Sequence, residues 1–333
     1  MKNFILNTWE KVWGILVRYS SHRFYYPYLY KSRWHLLIHG ANQQIVKDNL
    51  YYAARPNPGA GIGHQMANWI AGLWFSQKFG LQFAHMPFSS NKWDEFLGFG
   101  YHERTVEELK KSGFILRHLP LFDEYKEEDL KKQMQIISSY SGQKVVFIAE
   151  QDQFYKDQFG VINIIQDKFF QASSRNDDHL KYNKENFNIA IHVRRGDIMK
   201  DPSKPNLTMR YLSNDYFYRV LRQVINHTNS TKEVHIYFFS QGESKDYPEF
   251  NEFKNLHWCF DMSAQQSFLH MVYADVLITS KSSFSYKPAL LNKNGIKVCP
   301  RNFWHSYPSS PDWIMCSDEG EVDFQSDSLS LND

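Results

Sequence analysis

The run FNIAIHVRRGD, residues 187–197, decides how the chain is to be read: a largely apolar stretch ends abruptly on two arginines, a glycine and an aspartate. Apolar runs of this length, bounded by turn-forming residues, read as strands covered on both faces, the usual state of a strand in a parallel sheet. Ligands of such sheets sit beyond the carboxyl ends of the strands. Arg194 and Arg195 therefore stand where an anion belongs, and guanidinium forks match phosphate oxygens in geometry and charge. His192, at the strand end, can donate to a phosphate or a base, and Asp197 can orient one guanidinium by ion pairing. A plain surface Arg-Asp turn is the competing reading of the same residues. Adhesion through Arg195-Gly196-Asp197 is set aside, because three-residue matches are common by chance.

Working outward, the same alternation of apolar strand and amphipathic helix recurs on both sides. YYAAR (51–55), LQFAHM, GFILRHL and KVVFIAE (144–150) read as strands, with MANWIAGLWFSQKFG a helix closed by Gly80 and charged helices around 103–112 and 126–137. Beyond the polar stretch 173–186, FNIAIHV, VHIYFFS, LHWCF, DVLITS and IKVCP read as strands, with helices capped at Ser213 and over AQQSFLHMVYA and FSYKPALLN. This is an α/β chain with parallel sheets and crossover connections, giving Rossmann-like lobes. The expected divisions are an N-terminal basic, aromatic segment (1–45), a first lobe (46–178), a second lobe (179–316) and a disordered acidic tail (317–333) with six acidic and no basic residues.

Composition narrows the function. With 38 basic against 36 acidic residues in 333, net charge +2, no global field draws the chain to nucleic acid, and any anion site must be local. Aromatics at 17% suit sugar stacking and a core equally. Three cysteines without a CxxC pair suggest neither a disulfide framework nor a zinc site, and the acidic pair Asp177-Asp178 lies in a polar linker and reads as solvated surface. A cytoplasmic protein is expected, because no run of about 20 apolar residues is present to span a bilayer and the start lacks a small-residue cleavage site. The sequons at Asn206, Asn226 and Asn229 then count as composition. Near the start, Ile5, Trp9, Val12, Trp13 and Leu16 recur at helical spacing. That stripe fits an amphipathic helix packing on its own domain, or residues 1–20 lying peripherally on a membrane.

Two further elements have chemical potential. In GAGIGHQM (59–66), Gly61 and Gly63 permit close backbone approach at a helix start, and His64 can act as a general base, position a donor or simply hydrogen-bond at the helix start. Met66 stands where a dinucleotide fingerprint needs its third glycine, so nicotinamide binding is disfavoured. In DVLITSKSSFSY (275–286), Ser282, Ser283 and Ser285 cluster at a helix start, where hydroxyls either bind phosphate or cap the helix.

Together these elements resemble the fucosyltransferase superfamily that shares an HxRRxD signature. HVRRGD resembles that signature, GIGHQMANW its first-lobe glycine loop, and VLITSKSSFSYKPALLN, YLSNDYFYRVLRQV and PRNFW segments of the α1,2-fucosyltransferases. The resemblance covers about residues 50 to 305. It implies a GT-B type α/β fold, two Rossmann-like lobes with the active site in the cleft between them, and an inverting transfer of fucose from GDP-fucose with no divalent metal and no other cofactor. It implies that Arg194, His64 and Asp197 are catalytic, and that Gly61, Gly63, His192, Arg195, Ser240, Ser282, Ser283, Phe284 and Ser285 hold the donor, Arg195 supporting either the loop or the phosphates. The implied acceptor is a glycan or lipid-linked glycan, joined through an α1,2 linkage.

The chain departs from that pattern at three places. His64 stands where the glycine loop usually has Asn, Ser267 where some relatives contact guanine through Asp, and Tyr286-Lys287 where the family has two tryptophans; Asp261 is a candidate to replace the missing carboxylate. A transferase of the same fold using another nucleotide sugar, and a nucleotide- or carbohydrate-binding protein without catalysis, therefore remain as alternatives.

Overall fold

Strands β1 (Leu50–Ala54) and β4 (Val145–Ala149) are buried at every position and pair in parallel, Leu50 against Val145 through Ala54 against Ala149. Their unbroken apolar character follows from cover on both faces. The computed structural model describes residues 12–151, 153–199 and 209–324. The chain divides into two compact units, one of Met1–Ala60, His64–Asp94 and Phe99–Tyr155, the other of Gly61–Gly63, Glu95–Gly98 and Lys156–Asp333.

The first unit is built on a four-stranded parallel sheet of order β2-β1-β4-β3, with β2 Gln82–Phe83 and β3 Ile115–His118. Its helices are α1 (12–20), α2 (Lys31–His39), α3 (Ile62–Phe79), α4 (Asn91–Leu97), which runs into the second unit, α5 (Val106–Lys111) and α6 (Glu127–Ser139). Helix α3 crosses from β1 to β2. It lies close on the sheet because Gly72 has no side chain; a Cβ there would come within 2.7 Å of the Ala54 Cβ. Gly80, at φ +63°, ends α3 where the sequence predicts it. The N-terminal segment is part of this unit: Val17, Tyr26 and Tyr30 form a small core, and Ser32 Oγ donates to the His118 carbonyl at 2.6 Å.

The second unit carries a six-stranded, all-parallel sheet of order β10-β9-β8-β5-β6-β7. The strands are β5 (Phe187–His192), β6 (Val234–Phe239), β7 (Leu256–Trp258), β8 (Val276–Ile278), β9 (Ile296–Pro300) and β10 (Trp313–Cys316). Counted within the unit, this is the 3-2-1-4-5-6 order of the doubly wound dinucleotide-binding fold. Among the described residues four α-helices accompany it: α7 (Ile162–Gln171), α8 (Asn214–His227), α9 (Ala264–Tyr273) and α10 (Ser283–Leu291). Ser213 caps α8 by accepting from Tyr216 N, and α8 lays Phe217, Val220, Leu221 and Val224 into a core with Ile189, Ile191 and Phe238.

Two features differ from the sequence expectation. The division between units falls after Tyr155, ahead of the polar stretch 173–186, because α7 joins the second unit, where Gln166 Nε2 donates to the Leu290 carbonyl. Residues 317–324 of the acidic tail pack on the second unit: Cys316 and Val322 form an antiparallel bridge, and Phe324 stacks on His227 at 3.9 Å. Its few apolar residues are enough because they land on the exposed edge of α8. Residues 325–333 lie outside the described part.

Candidate functional site

In a doubly wound sheet, the strand order reverses at one point, where the crossovers on either side leave in opposite directions and open a crevice at the carboxyl ends. Here that point lies between β5 and β8. The residues leaving β5 are His192, Val193, Arg194 and Arg195; those leaving β8 are Thr279, Ser280, Lys281 and Ser282. The fold therefore brings together the two polar segments that are about 90 residues apart in sequence.

His192 Nδ1 lies 2.8 Å from Ser280 Oγ and joins the two strand ends. The ring is nearly buried, with Phe284 at 5.5 Å. Burial, helped by the positive charge of Arg194, pushes its pKa down to about 3, so the imidazole is neutral at ordinary pH. When Ser280 donates to Nδ1, the ring proton sits on Nε2, a donor for a phosphate or a base. Ser280 also ties into the next turn, its N–H donating to Ser285 Oγ at 3.2 Å. Sequence reasoning missed Ser280, although its signal, the last residue of an apolar strand before a hydroxyl cluster, was present.

The two arginines divide their work. Arg195 is buried; Nη1 donates to the Arg194 carbonyl at 2.8 Å, Nη2 donates to Asn214 Oδ1 at 2.6 Å, and the guanidinium lies 4.9 Å from the Tyr211 ring centre. Burial lowers its pKa, against the opposing pull of Tyr211, Tyr247 and Glu249. Of the two roles the resemblance implies, these contacts are those of a brace, fastening the loop after β5 to the start of α8. Arg194 is half-buried at the strand end. Gly196, at φ +75°, turns the chain where a Cβ would run into the Gln241 side-chain amide. Asp197 falls in the one-turn helix Gly196–Met199, and its side chain lies outside the described part.

Most of the expected hydroxyls are engaged within the loops. Ser240 Oγ donates to the Val193 carbonyl at 2.8 Å and meets the Tyr247 hydroxyl at 2.6 Å, steadying the arginine loop from β6. Ser282 caps α10 by accepting from Phe284 N at 3.2 Å, and Ser285 is buried beneath. Ser283, the first residue of α10, is only partly buried and has a long 3.5 Å contact with His305 Nε2. Its hydroxyl is thus the best placed of the three to meet a ligand at the positive end of α10.

The glycine loop has a structural reason of its own. A Cβ on Gly63 would lie 2.5 Å from the carbonyl carbon of Ser283, so this glycine is required by backbone packing against the start of α10. At Gly61 an added Cβ would meet nothing within 4 Å. His64, the third residue of α3, belongs to the first unit, its ring edge-on to Phe154 at 5.7 Å. Ser267 is buried on α9, whose neighbouring Phe268 packs edge-on to Phe284 at 6.0 Å, whereas Asp261 is exposed. Tyr286 stacks on His305 at 4.8 Å and donates to the Ser306 carbonyl, and Lys287 points into the interior. No helix among the described residues is long and apolar enough to cross a membrane.

No family model and no curated protein matches the sequence. Among solved structures, the chain is similar to POFUT1 in complex with GDP at 12% identity and TM-score 0.46, covering 76% of this chain and 98% of that one. It is similar to fucosyltransferase NodZ from Bradyrhizobium at 11% identity and TM-score 0.40, with 74% and 94% covered. A third likeness is to the E. coli heptosyltransferase WaaC with ADP-2-deoxy-2-fluoro heptose, at 9% identity and TM-score 0.38, with 85% and 95% covered.

Proposed function

We propose that the second unit binds the diphosphate of a nucleotide sugar at the β5–β8 switch point, and that the chain is an inverting, metal-independent glycosyltransferase. Its donor on this reading is GDP-fucose and its acceptor a hydroxyl of a glycan or lipid-linked glycan, with α1,2 as the favoured linkage. One observation carries the reading: at the reversal of strand order, a buried neutral histidine joins the ends of β5 and β8, with Arg194 two residues beyond it and the hydroxyl-rich start of α10 following β8. Cleavage of the sugar–phosphate bond puts growing negative charge on the departing diphosphate while the sugar turns oxocarbenium-like. A fixed guanidinium then stabilises the transition state more than the ground state, the condition for catalysis. Arg194 takes that role, with Arg195 holding its loop, Ser283 and His192 donating to the nucleotide, and His64 as the candidate base. The HxRRxD resemblance, matched by His192, Arg194, Arg195 and Asp197, supports fucose as the sugar.

Ser267 favours a second reading, a donor other than a guanine nucleotide, because a buried hydroxyl on α9 replaces the carboxylate that the resemblance leads one to expect there. Calorimetric titration in EDTA with GDP, GDP-fucose, GDP-mannose and UDP-galactose, beside Arg194→Ala, tests both. Metal-free binding of GDP that the variant loses supports the first reading. Binding of UDP-galactose alone supports the second, and binding of no nucleotide removes both.

A further inference from the structure

The N-terminal helices carry two apolar faces where a soluble helix has one. In α1, Val17 and Ser20 are buried and Trp13 packs edge-on to Tyr30 at 5.6 Å while donating to Glu150 Oε1, so this face holds the helix to the first unit. Val12, Ile15, Leu16 and Tyr19, at i, i+3, i+4 and i+7, form a second stripe that is exposed, Tyr19 at 80%. Helix α2 repeats the arrangement: Ser32 and Leu36 face inward, while Trp34, Leu37 and Ile38 are exposed at i, i+3 and i+4. The turn between the helices adds Phe24, at 89% exposure, with Tyr25 and Tyr28. Tyr28 and Trp34 are locked together, their rings edge-on at 5.8 Å and Trp34 Nε1 donating to the Tyr28 carbonyl, with Arg33 5.7 Å from the Tyr28 ring centre.

Half of the large apolar side chains left exposed among the described residues fall in this short stretch. Single exposed apolar residues need no explanation, but concentration on consecutive elements does. The charge of the segment says what covers it. After Glu10 the next acidic residue is Asp48, and Arg18, Arg23, Lys31 and Arg33 lie between them, all but Arg33 exposed. Aromatic and aliphatic side chains set among cations, without a carboxylate, match the boundary between anionic lipid headgroups and acyl chains.

We propose that α1, the 21–30 turn and α2 form a docking surface for an anionic lipid bilayer, on which the chain lies without crossing it. This surface extends the sequence expectation for residues 1–20 through α2; residues 1–11 lie outside the described part. The inference does not depend on the transferase reading, although such a surface would bring the protein to lipid-linked acceptors.

The test is flotation of the full chain with vesicles of phosphatidylcholine, alone or mixed with phosphatidylglycerol, at low and high salt. Three double variants accompany it: Ile15→Ser with Leu16→Ser, Leu37→Ser with Ile38→Ser, and Arg18→Glu with Arg23→Glu. All six side chains are exposed, so the variants should melt with the parent, and melting is measured alongside. The expected result is flotation with anionic vesicles only, weakened by salt, at least tenfold weaker in each apolar variant, and weaker by roughly fivefold for each basic residue removed. Absence of binding to anionic vesicles at low salt, or binding unchanged in both apolar variants, overturns the proposal. A parent dimer that becomes monomeric in the apolar variants, with no vesicle binding, assigns the face to a second copy and also overturns it.

Discussion

Replacing Lys287 with methionine should stabilise the protein, and the reason lies in how α10 is packed. Lys287 is fully buried; its Nζ donates to Gln158 Oε1 at 2.5 Å and lies 5.0 Å from the Tyr286 ring centre, and no carboxylate pairs with it among the described residues. Burial pushes the amine well below the usual lysine range. The sign of the pH effect follows. Below about pH 10.4 the unfolded chain carries a proton on this lysine that the folded chain refuses, so stability falls as pH drops below that value, by about 1.4 kcal/mol per unit until the folded amine titrates. Methionine keeps an unbranched side chain, one atom shorter, and removes the ionisable group. The exchange removes that deprotonation cost, about 1.4 kcal/mol for each pH unit below about 10.4, while leaving the buried Gln158 Oε1 without its donor costs about 1–3 kcal/mol. A net gain of about 2 kcal/mol near neutral pH corresponds to roughly 4–8 °C in Tm for a unit of this size. Calorimetric melting of both proteins between pH 6 and pH 10 reads it, and the gain should shrink as pH rises. A lower Tm for the methionine variant at neutral pH, or a gain that does not shrink toward pH 10, refutes the reasoning.

Four further outcomes are expected. His192→Gln should remove a pH dependence: with its folded pKa near 3 and an unfolded value near 6.5, the parent should lose about 2 kcal/mol between pH 6.5 and pH 5 on this group's account, a slope that urea unfolding would show flattened in the variant. Gly196→Ala puts a side chain at a positive φ, while the exposed Gln241 amide can swing aside, and should lower the urea midpoint by an equivalent of about 1–2 kcal/mol. Arg195→Lys keeps the charge but loses the fork that spans the Arg194 carbonyl and Asn214, and should cost about 1.5–3 kcal/mol in thermal unfolding. Burial raises the thiol pKa of Cys259 to about 11, of Cys316 to about 12 and of Cys299 further still, so Ellman's reagent should label none of the three in the native chain and all of them in guanidinium.

Much of this was legible in the chain itself. Strands such as Val145–Ala149 and Phe187–His192 announce themselves because double cover in a parallel sheet demands unbroken apolar runs, and the Gly80 stop and the Ser213 cap are local chemistry that needs no tertiary partner. Trp313–Cys316 escaped notice because it joins β9 through a connection without a helix, so the alternation that marks the other strands is missing. The candidate site was half legible. A motif shows that Arg194 and Arg195 follow a strand, but it cannot show that Arg195 spends its guanidinium on Asn214, nineteen residues on. Nor can it show that Ser282 and Ser285 are occupied inside their own turn, leaving Ser283 as the better-placed hydroxyl.

By itself, the sequence determined which segments could be strands and helices and where polar residues interrupt them, because periodicity and capping are properties of neighbours in the chain. The tertiary structure alone decided that β5 and β8 are adjacent, that His192 meets Ser280 across the reversal of strand order, and that α1 and α2 turn an apolar face outward. Strand order depends on which sheet edges find cover, and the outward face of a helix depends on what its inward face has already buried; neither is fixed until the distant parts of the chain have packed.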